Sequence, residues 1–229
     1  MEENIAWEVT YNNNEACVLK NVHDCYYAGF KKLDYKKNEK PSVDYINEKL
    51  AVAGWTLKTF KRMTITSSNW FSSIVNYQFP VTTIMRSLNS STFAEEPDCF
   101  HDYFGHLPFL FDQSYVDLLI KLSNVYLLCE DDESRELVYK VYYYIFEFGV
   151  YLQEGKVKLL GSGFLSSFEQ RERVLNGDIN IKKFNVEQIS LESIHKDGVV
   201  NTVFVLPPFD ELDAEVEKLK LSVCTVSCY

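Results

Sequence analysis

Two of the four histidines in this 229-residue chain lie in one short stretch, Glu95 to Pro108 (EEPDCFHDYFGHLP), as His101 and His106. Imidazole is the commonest metal ligand, but it also serves in packing and hydrogen bonding, so the pair alone is compatible with either role. On a regular helix, residues five apart sit about 140° out of line. Both rings can then meet one ion only if the helix ends between them, and Gly105 with Pro108 beyond it reads as that ending. Pro97 reads as the first helical residue, with Asp98 as the acid of the first turn. The His-Glu-x-x-His pattern of metalloproteases is absent, and with it their glutamate base.

Glu147 sits in Tyr142–Tyr151, a stretch with no other charge. Desolvating an unpaired carboxylate there costs several kcal/mol, so a positive group must face it. A buried lysine or arginine would serve, and so would a divalent metal. Two neutral imidazoles and one carboxylate leave open positions on an ion, which is the facial triad of non-haem iron(II) oxygenases.

These residues need elements to hold them. Ser42 is placed to cap a helix carrying Val43, Ile46 and Leu50, which Gly54 ends. A short helix starting at Ser68 or Asn69 carries Trp70, Phe71, Ile74 and Val75. Asp112 is placed to cap a long amphipathic helix with Tyr115, Leu118, Leu119, Leu122, Val125 and Cys129 on one face. Another helix begins after Asp131 or Asp132 and runs on through VYKVYYYIFEFGVYL. Lys156–Leu160 and Asn201–Leu206 read as short strands, and Asp210 as the cap of a last helix. Asn12 to Asn14 reads as a turn, and Lys31 to Lys40 as a solvated linker ending at Pro41. The expected class is mainly α, an α+β arrangement with minor short strands. Residues 1–40 are read as an amino-terminal extension of unassigned role, and residues 41–229 as the functional domain.

The composition sets limits. A chain that is 46% hydrophobic and 15% aromatic can bury one substantial core. The aromatic excess serves such a core or lines a pocket for a flat ring. A net charge of -10 argues against nucleic acid or anionic membrane as a partner. No charged leader followed by an apolar run is visible, nor an unbroken membrane-length apolar stretch, so a cytoplasmic protein is expected. Six cysteines lie scattered without Cys-x-x-Cys spacing, so reduced thiols are expected, with Cys224 and Cys228 the most open to reaction.

EEPDCFHDYFGHLPFLFDQSY resembles the iron-binding segment of the biopterin-dependent aromatic amino acid hydroxylases. YYYIFEFGVYLQEG and GSGFLSSF resemble their downstream glutamate segment and the loop after it. The resemblance runs from about Pro41 to Leu221, with the first forty residues outside it, and is to the catalytic core in its bacterial, phenylalanine 4-hydroxylase-like form. It implies the catalytic-domain fold of that family, Fe(2+), tetrahydrobiopterin or a related tetrahydropterin, dioxygen and an aromatic amino acid. No room is seen for a tetramerisation helix, so a monomer or dimer is expected.

By position, the resemblance makes His101, His106 and Glu147 the iron ligands. It gives Arg86 the substrate carboxylate, with Asp98 orienting the guanidinium and Gly163 and Ser166 lining the same end. For the pterin it names Trp70 as the stacking ring, Ile65 and Ser67 as contacts, Tyr142 as a neighbour and Asp102 as the acid facing the ring through water. Trp70 stands for a phenylalanine, Asp102 for a glutamate and Pro80 for a histidine, which puts pterin affinity and choice in question. Val205 falls where phenylalanine hydroxylases are apolar and tyrosine hydroxylases carry aspartate, and Tyr143 falls beside the substrate ring. Without a hydroxyl partner the site favours phenylalanine, hydroxylated to tyrosine. Tryptophan, meta-hydroxylation and a non-catalytic metal- or pterin-binding protein are the alternatives.

Overall fold

The computed structural model describes residues 2–60, 65–90, 97–194 and 199–224. It opens with α1 (Glu2–Asn21), α2 (Cys25–Leu33) and α3 (Val43–Leu50), then β1 (Thr56–Phe60), α4 (Ser67–Val75) and β2 (Gln78–Thr82). A π-helical turn (His101–His106) and a 3-10 turn (Leu107–Phe111) lead into α5 (Gln113–Leu128) and α6 (Asp132–Tyr142). A second π-helical turn (Tyr143–Glu147) follows, then β3 (Val150–Gln153), β4 (Lys156–Leu159), α7 (Ser162–Ser166) and α8 (Phe168–Asn176). The order closes with β5 (Asn180–Lys183), α9 (Val186–Leu191), β6 (Thr202–Val205) and α10 (Phe209–Cys224). Strands β1 and β2 pair in parallel, while a second sheet has the order β4-β3-β6-β5 with only the β3–β4 hairpin antiparallel. The mainly helical class with short strands is what the sequence leads one to expect. No helix among the described residues is long and apolar enough to cross a membrane.

Capping side chains account for several helix starts. Ser42 accepts the N–H of Tyr45, Asp112 that of Tyr115 and Asp131 that of Ser134, each satisfying a donor that has no partner inside the helix. Helix α4 begins at Ser67, slightly earlier than read, because Thr66 is its cap. Helix α10 includes Asp210 instead of being capped by it.

Four further expectations are corrected. Asn12 to Asn14 lie inside α1, where the buried Asn14 amide donates to the Thr10 carbonyl and its oxygen accepts from Arg171. The helix through Tyr142 stops at Glu147, and Val150–Gln153 turns back as a strand on β4. The chain also stays helical past Gly105 as far as Phe111. Of the Lys31–Lys40 stretch, the first three residues belong to α2, and Lys36 and Lys40 pair with Glu39 and Glu3.

The first forty residues share the core of the rest. Trp7 is fully buried with its ring edge on Phe100 at 5.2 Å. Tyr26 donates to the carbonyl of Phe104 at 2.7 Å and Tyr35 to that of Tyr103, both carbonyls of the first π-turn. The line drawn at residue 40 therefore divides readable from unreadable sequence and not one packed core from another. Cys17, Cys25, Cys99, Cys129 and Cys224 are free thiols, and Cys228 lies outside the described residues.

Candidate metal centre and ligand pocket

The two π-turns solve the five-residue spacing without a helix end. Leu107 donates its N–H to the Asp102 carbonyl, and Phe148 donates to Tyr143 at 3.0 Å, both five residues back. That wider turn sets residues five apart nearly above one another, which a 3.6-residue helix does not. His101 and His106 accordingly meet with their Nε2 atoms 3.1 Å apart. Gly105 serves another purpose than the predicted stop. A Cβ there would stand 3.0 Å from the Cβ of Ser162, so its absence lets α7 lie directly on the turn. On the far side, a Cβ on Gly161 would fall 2.2 Å from the Glu147 carbonyl, so glycine there draws the second turn against α7.

Glu147 reaches both rings. Its Oε1 lies 3.2 Å from His106 Nε2 and its Oε2 lies 3.5 Å from His101 Nε2. Adjacent corners of an octahedron with bonds near 2.1 Å stand about 3 Å apart, so these separations suit three ligands on one face of a single ion. Burial lowers His101 to about 4, against the pull of Glu147, and keeps that imidazole neutral. Burial pushes Glu147 up, but the imidazoles of His106 and His101 and the Ser162 hydroxyl outweigh it and hold the carboxyl well below its usual range. A deprotonated carboxylate with a neutral imidazole is the state a divalent cation requires. No lysine or arginine faces Glu147 among its described partners, so no side-chain ammonium or guanidinium there fills the role of counter-charge.

Hydroxyls orient the ligands. Tyr142 donates to Glu147 Oε1 at 2.8 Å, and burial followed by the Glu147 charge raises its phenol well above the usual value, so it keeps its proton. Ser166 Oγ sits 2.8 Å from His101 Nδ1, the ring nitrogen turned away from the centre. Ser162 Oγ contacts Glu147 Oε2 at 2.6 Å and His106 Nε2 at 2.9 Å. Sequence reasoning assigned Ser166 to a substrate wall and passed over Ser162. The usable signal was the three serines of GSGFLSSF, since two of them fall four apart on one helical face.

Arg86 and Asp98 are buried and joined in a two-point fork, Nε to Oδ2 at 2.9 Å and Nη2 to Oδ1 at 2.7 Å. Burial pushes Asp98 up, but Arg86 outweighs it and holds the carboxyl below the usual value. Asp98 also accepts the N–H of His101, which makes it the cap of the turn, one residue beyond the predicted helical start at Pro97. The third guanidinium nitrogen, Nη1, donates to the Ser166 carbonyl at 2.9 Å. The side edge of the fork is thus committed, and an incoming carboxylate is left the Nη1/Nη2 end.

A cavity of about 350 Å³ opens on the three candidate ligands. Ile65, Ser67, Trp70, Asp102, Tyr142 and Pro80 line it, so the residues named for the pterin share one wall space with the triad. Trp70 stands edge-on to Tyr142 at 5.0 Å and to Phe71 at 5.1 Å. Burial raises Asp102 well above a carboxylate's usual value, and its Oδ2 accepts the Thr82 N–H. Arg86, Asp98, Tyr143, Gly163, Ser166 and Val205 lie outside this lining. The first two and Ser166 gather behind His101. Tyr143 packs on Phe148 at 4.9 Å, Gly163 leaves room for the Phe148 ring, and Val205 pairs with Val150 across the sheet. Glu95 and Glu96 of the histidine segment lie outside the described residues.

Comparison with known proteins places this geometry in context. Residues 1–224 match a family profile described as biopterin-dependent aromatic amino acid hydroxylase, so the match takes in the first forty residues that the sequence motifs left out. The chain is 28% identical to a phenylalanine-4-hydroxylase of Mesorhizobium japonicum over 218 residues, 92% of this chain and 77% of that one. A solved Chromobacterium violaceum phenylalanine hydroxylase with bound iron(III) and oxidised cofactor 7,8-dihydrobiopterin superposes with a TM-score of 0.86 at 26% identity, covering 98% of this chain and 82% of that one. The apo phenylalanine hydroxylase of Colwellia psychrerythraea 34H shares the fold with a TM-score of 0.87 at 24% identity, covering 100% and 90%.

Proposed function

The chain belongs to the biopterin-dependent aromatic amino acid hydroxylases, and from that premise we propose that it is a non-haem iron(II) monooxygenase that converts phenylalanine to tyrosine with a tetrahydropterin. One observation carries the reading at the level of residues. A half-buried carboxylate without a cationic side chain among its described partners meets two imidazoles at separations suited to one ion, in the lining of a cavity that also carries an indole.

Iron and tetrahydropterin, when bound, supply the activation of dioxygen and the electrons for inserting one oxygen atom into the ring. The chain's own residues do the rest by binding, orienting and excluding water. His101, His106 and Glu147 would hold the metal where all three line the cavity. Trp70 offers its indole to the flat pterin, with Ile65, Ser67 and Tyr142 in the same lining. Asp102, whose carboxyl burial raises above its usual range and whose Oδ2 accepts the Thr82 N–H, faces the same cavity. Arg86, held in plane by Asp98 and the Ser166 carbonyl, takes the amino acid's carboxylate on its remaining edge. Tyr143 and Val205 bound the aromatic ring, and an apolar Val205 gives a substrate hydroxyl nothing to bond.

Anaerobically purified protein loaded with iron(II) and given tetrahydropterin, oxygen and each aromatic amino acid in turn tests this. Tyrosine formed from phenylalanine in step with pterin oxidation is the expected result. Faster product formation from tryptophan, or a meta product, reassigns the substrate. No turnover with any amino acid leaves a metal- or pterin-binding protein.

A further inference from the structure

The Ser162 hydroxyl lies between two of the three candidate ligands. It is fully buried at the first position of α7. Its Oγ is 2.6 Å from Glu147 Oε2, 2.9 Å from His106 Nε2 and 3.2 Å from the Phe146 carbonyl. One hydroxyl has one proton, so it cannot donate to all of them. The shorter, charged contact wins: the proton points at the Glu147 carboxylate, since hydrogen bonds to an ionised acceptor are shorter and about twice as strong as neutral ones. A lone pair is then left towards His106 Nε2.

One hydroxyl thus touches both ligands: Ser162 Oγ donates to Glu147 Oε2 and keeps a 2.9 Å contact with His106 Nε2. Tyr142 holds the other carboxylate oxygen, so each oxygen keeps one lone pair engaged and one directed at the imidazoles. Resting on the metal reading above, we propose that Ser162 is a positioning residue that sets His106 and Glu147 in ligand geometry before the ion arrives and restrains the carboxylate plane afterwards. The backbone makes the placement strict: α7 approaches the first π-turn closely enough that a Cβ on Gly105 would stand 3.0 Å from that of Ser162, which leaves the serine little freedom to turn away.

The test compares the parent chain with Ser162→Ala and Ser162→Gly, neither of which offers a hydroxyl or a new metal ligand. Each is stripped of metal and titrated with cobalt(II), followed by its visible absorption, and each metal-free form is melted. Partners that orient a metal ligand are worth 10- to 100-fold in affinity. Both variants are expected to bind cobalt(II) at least about tenfold more weakly, with an altered absorption envelope and with metal-free melting temperatures close to the parent's. Unchanged cobalt affinity and spectrum in both variants overturns the assignment. So does a fall in metal-free melting temperature that accounts for the weaker binding, because the hydroxyl would then be holding α7 and not the ligands. A parent chain that binds no cobalt(II) overturns instead the metal reading on which this rests.

Discussion

Helix α7 has a pocket side and an outer side, and a buried arginine closes each. On the pocket side Arg86 is matched by a carboxylate in a two-point fork and also holds the Ser166 carbonyl. On the outer side Arg171 is fully buried with neutral partners: the Asn14 side chain at 2.6 Å and the carbonyls of Phe164 and Asn13. Burial pulls its pKa down, and its Nε has no hydrogen-bond partner among the described residues. The same side chain thus does two kinds of work. Arg171 ties α1 to α7 and α8, while Arg86 pairs with Asp98 behind His101, on the side of α7 that carries the candidate ligands. The pocket side is organised for a ligand at a cost in stability, and the outer side supports it.

The sharpest way to break this contrast is Glu147→Gln. Glutamine loses the charge that the imidazoles and the Ser162 hydroxyl hold in place but keeps the shape of the side chain, so the metal-free melting temperature is expected to fall by no more than about 4 °C. Iron(II) binding should fall by roughly a thousandfold or more, about 4 kcal/mol or above by the tenfold-per-1.4 rule. Calorimetry on the metal-free and iron-loaded forms reads both. A large drop in metal-free stability would show that the pocket side also supports the fold.

Arg171→Met is the opposite case. It leaves three acceptors without a donor, at about 1 kcal/mol or more each. The expected loss of about 3 kcal/mol lowers the melting temperature by roughly 6–12 °C. KM for the amino acid should hold below that temperature. A raised KM in the still-folded variant would mean that the two sides are coupled through α7.

Arg86→Lys keeps the charge and loses the planar fork. KM for the amino acid should rise by about 10- to 30-fold, around 2 kcal/mol, with iron affinity nearly unchanged. Steady-state kinetics beside an iron titration separates this from a damaged metal site.

The smallest effect is in pH. His101 is lowered from its ordinary value to about 4, so between about pH 6.5 and 4 the unfolded chain takes up a proton that the folded chain refuses. Metal-free stability should therefore fall with pH across that window, by on the order of 1 kcal/mol per unit. The slope is measured from denaturant midpoints at pH 7 and 5, and His101→Gln should flatten it. An unaltered slope in that variant would locate the proton uptake elsewhere.

How much of this could be read from the residues follows the same division. Caps at Ser42, Asp112 and Asp131 were legible because a polar side chain ahead of an apolar run has one local job. Helix α1 was not, although its buried positions Ala6, Trp7, Thr10, Tyr11, Asn14 and Val18 keep helical spacing. Thr10 and Asn14 break the apolar stripe: Thr10 is satisfied by the Ala6 carbonyl within the helix, and the partner of Asn14, Arg171, lies 157 positions on. The site showed the same limit. The histidines and Glu147 stood out by type, whereas the π-turns that align them depend on packing against α7 and leave no periodic mark. Ser162 and Tyr142 bond to Glu147 through contacts visible only once the chain has folded.

The tyrosines that cap the first π-turn carry one more consequence, for how the molecule comes to be. Tyr26 and Phe104 are 78 positions apart, and Tyr35 and Tyr103 are 68 apart. A chain emerging from the ribosome must hold α1 and α2 open until those later stretches arrive. Closing such long loops is slow, so folding of the centre should be late and rate-limiting, with aromatic surface exposed in the interval.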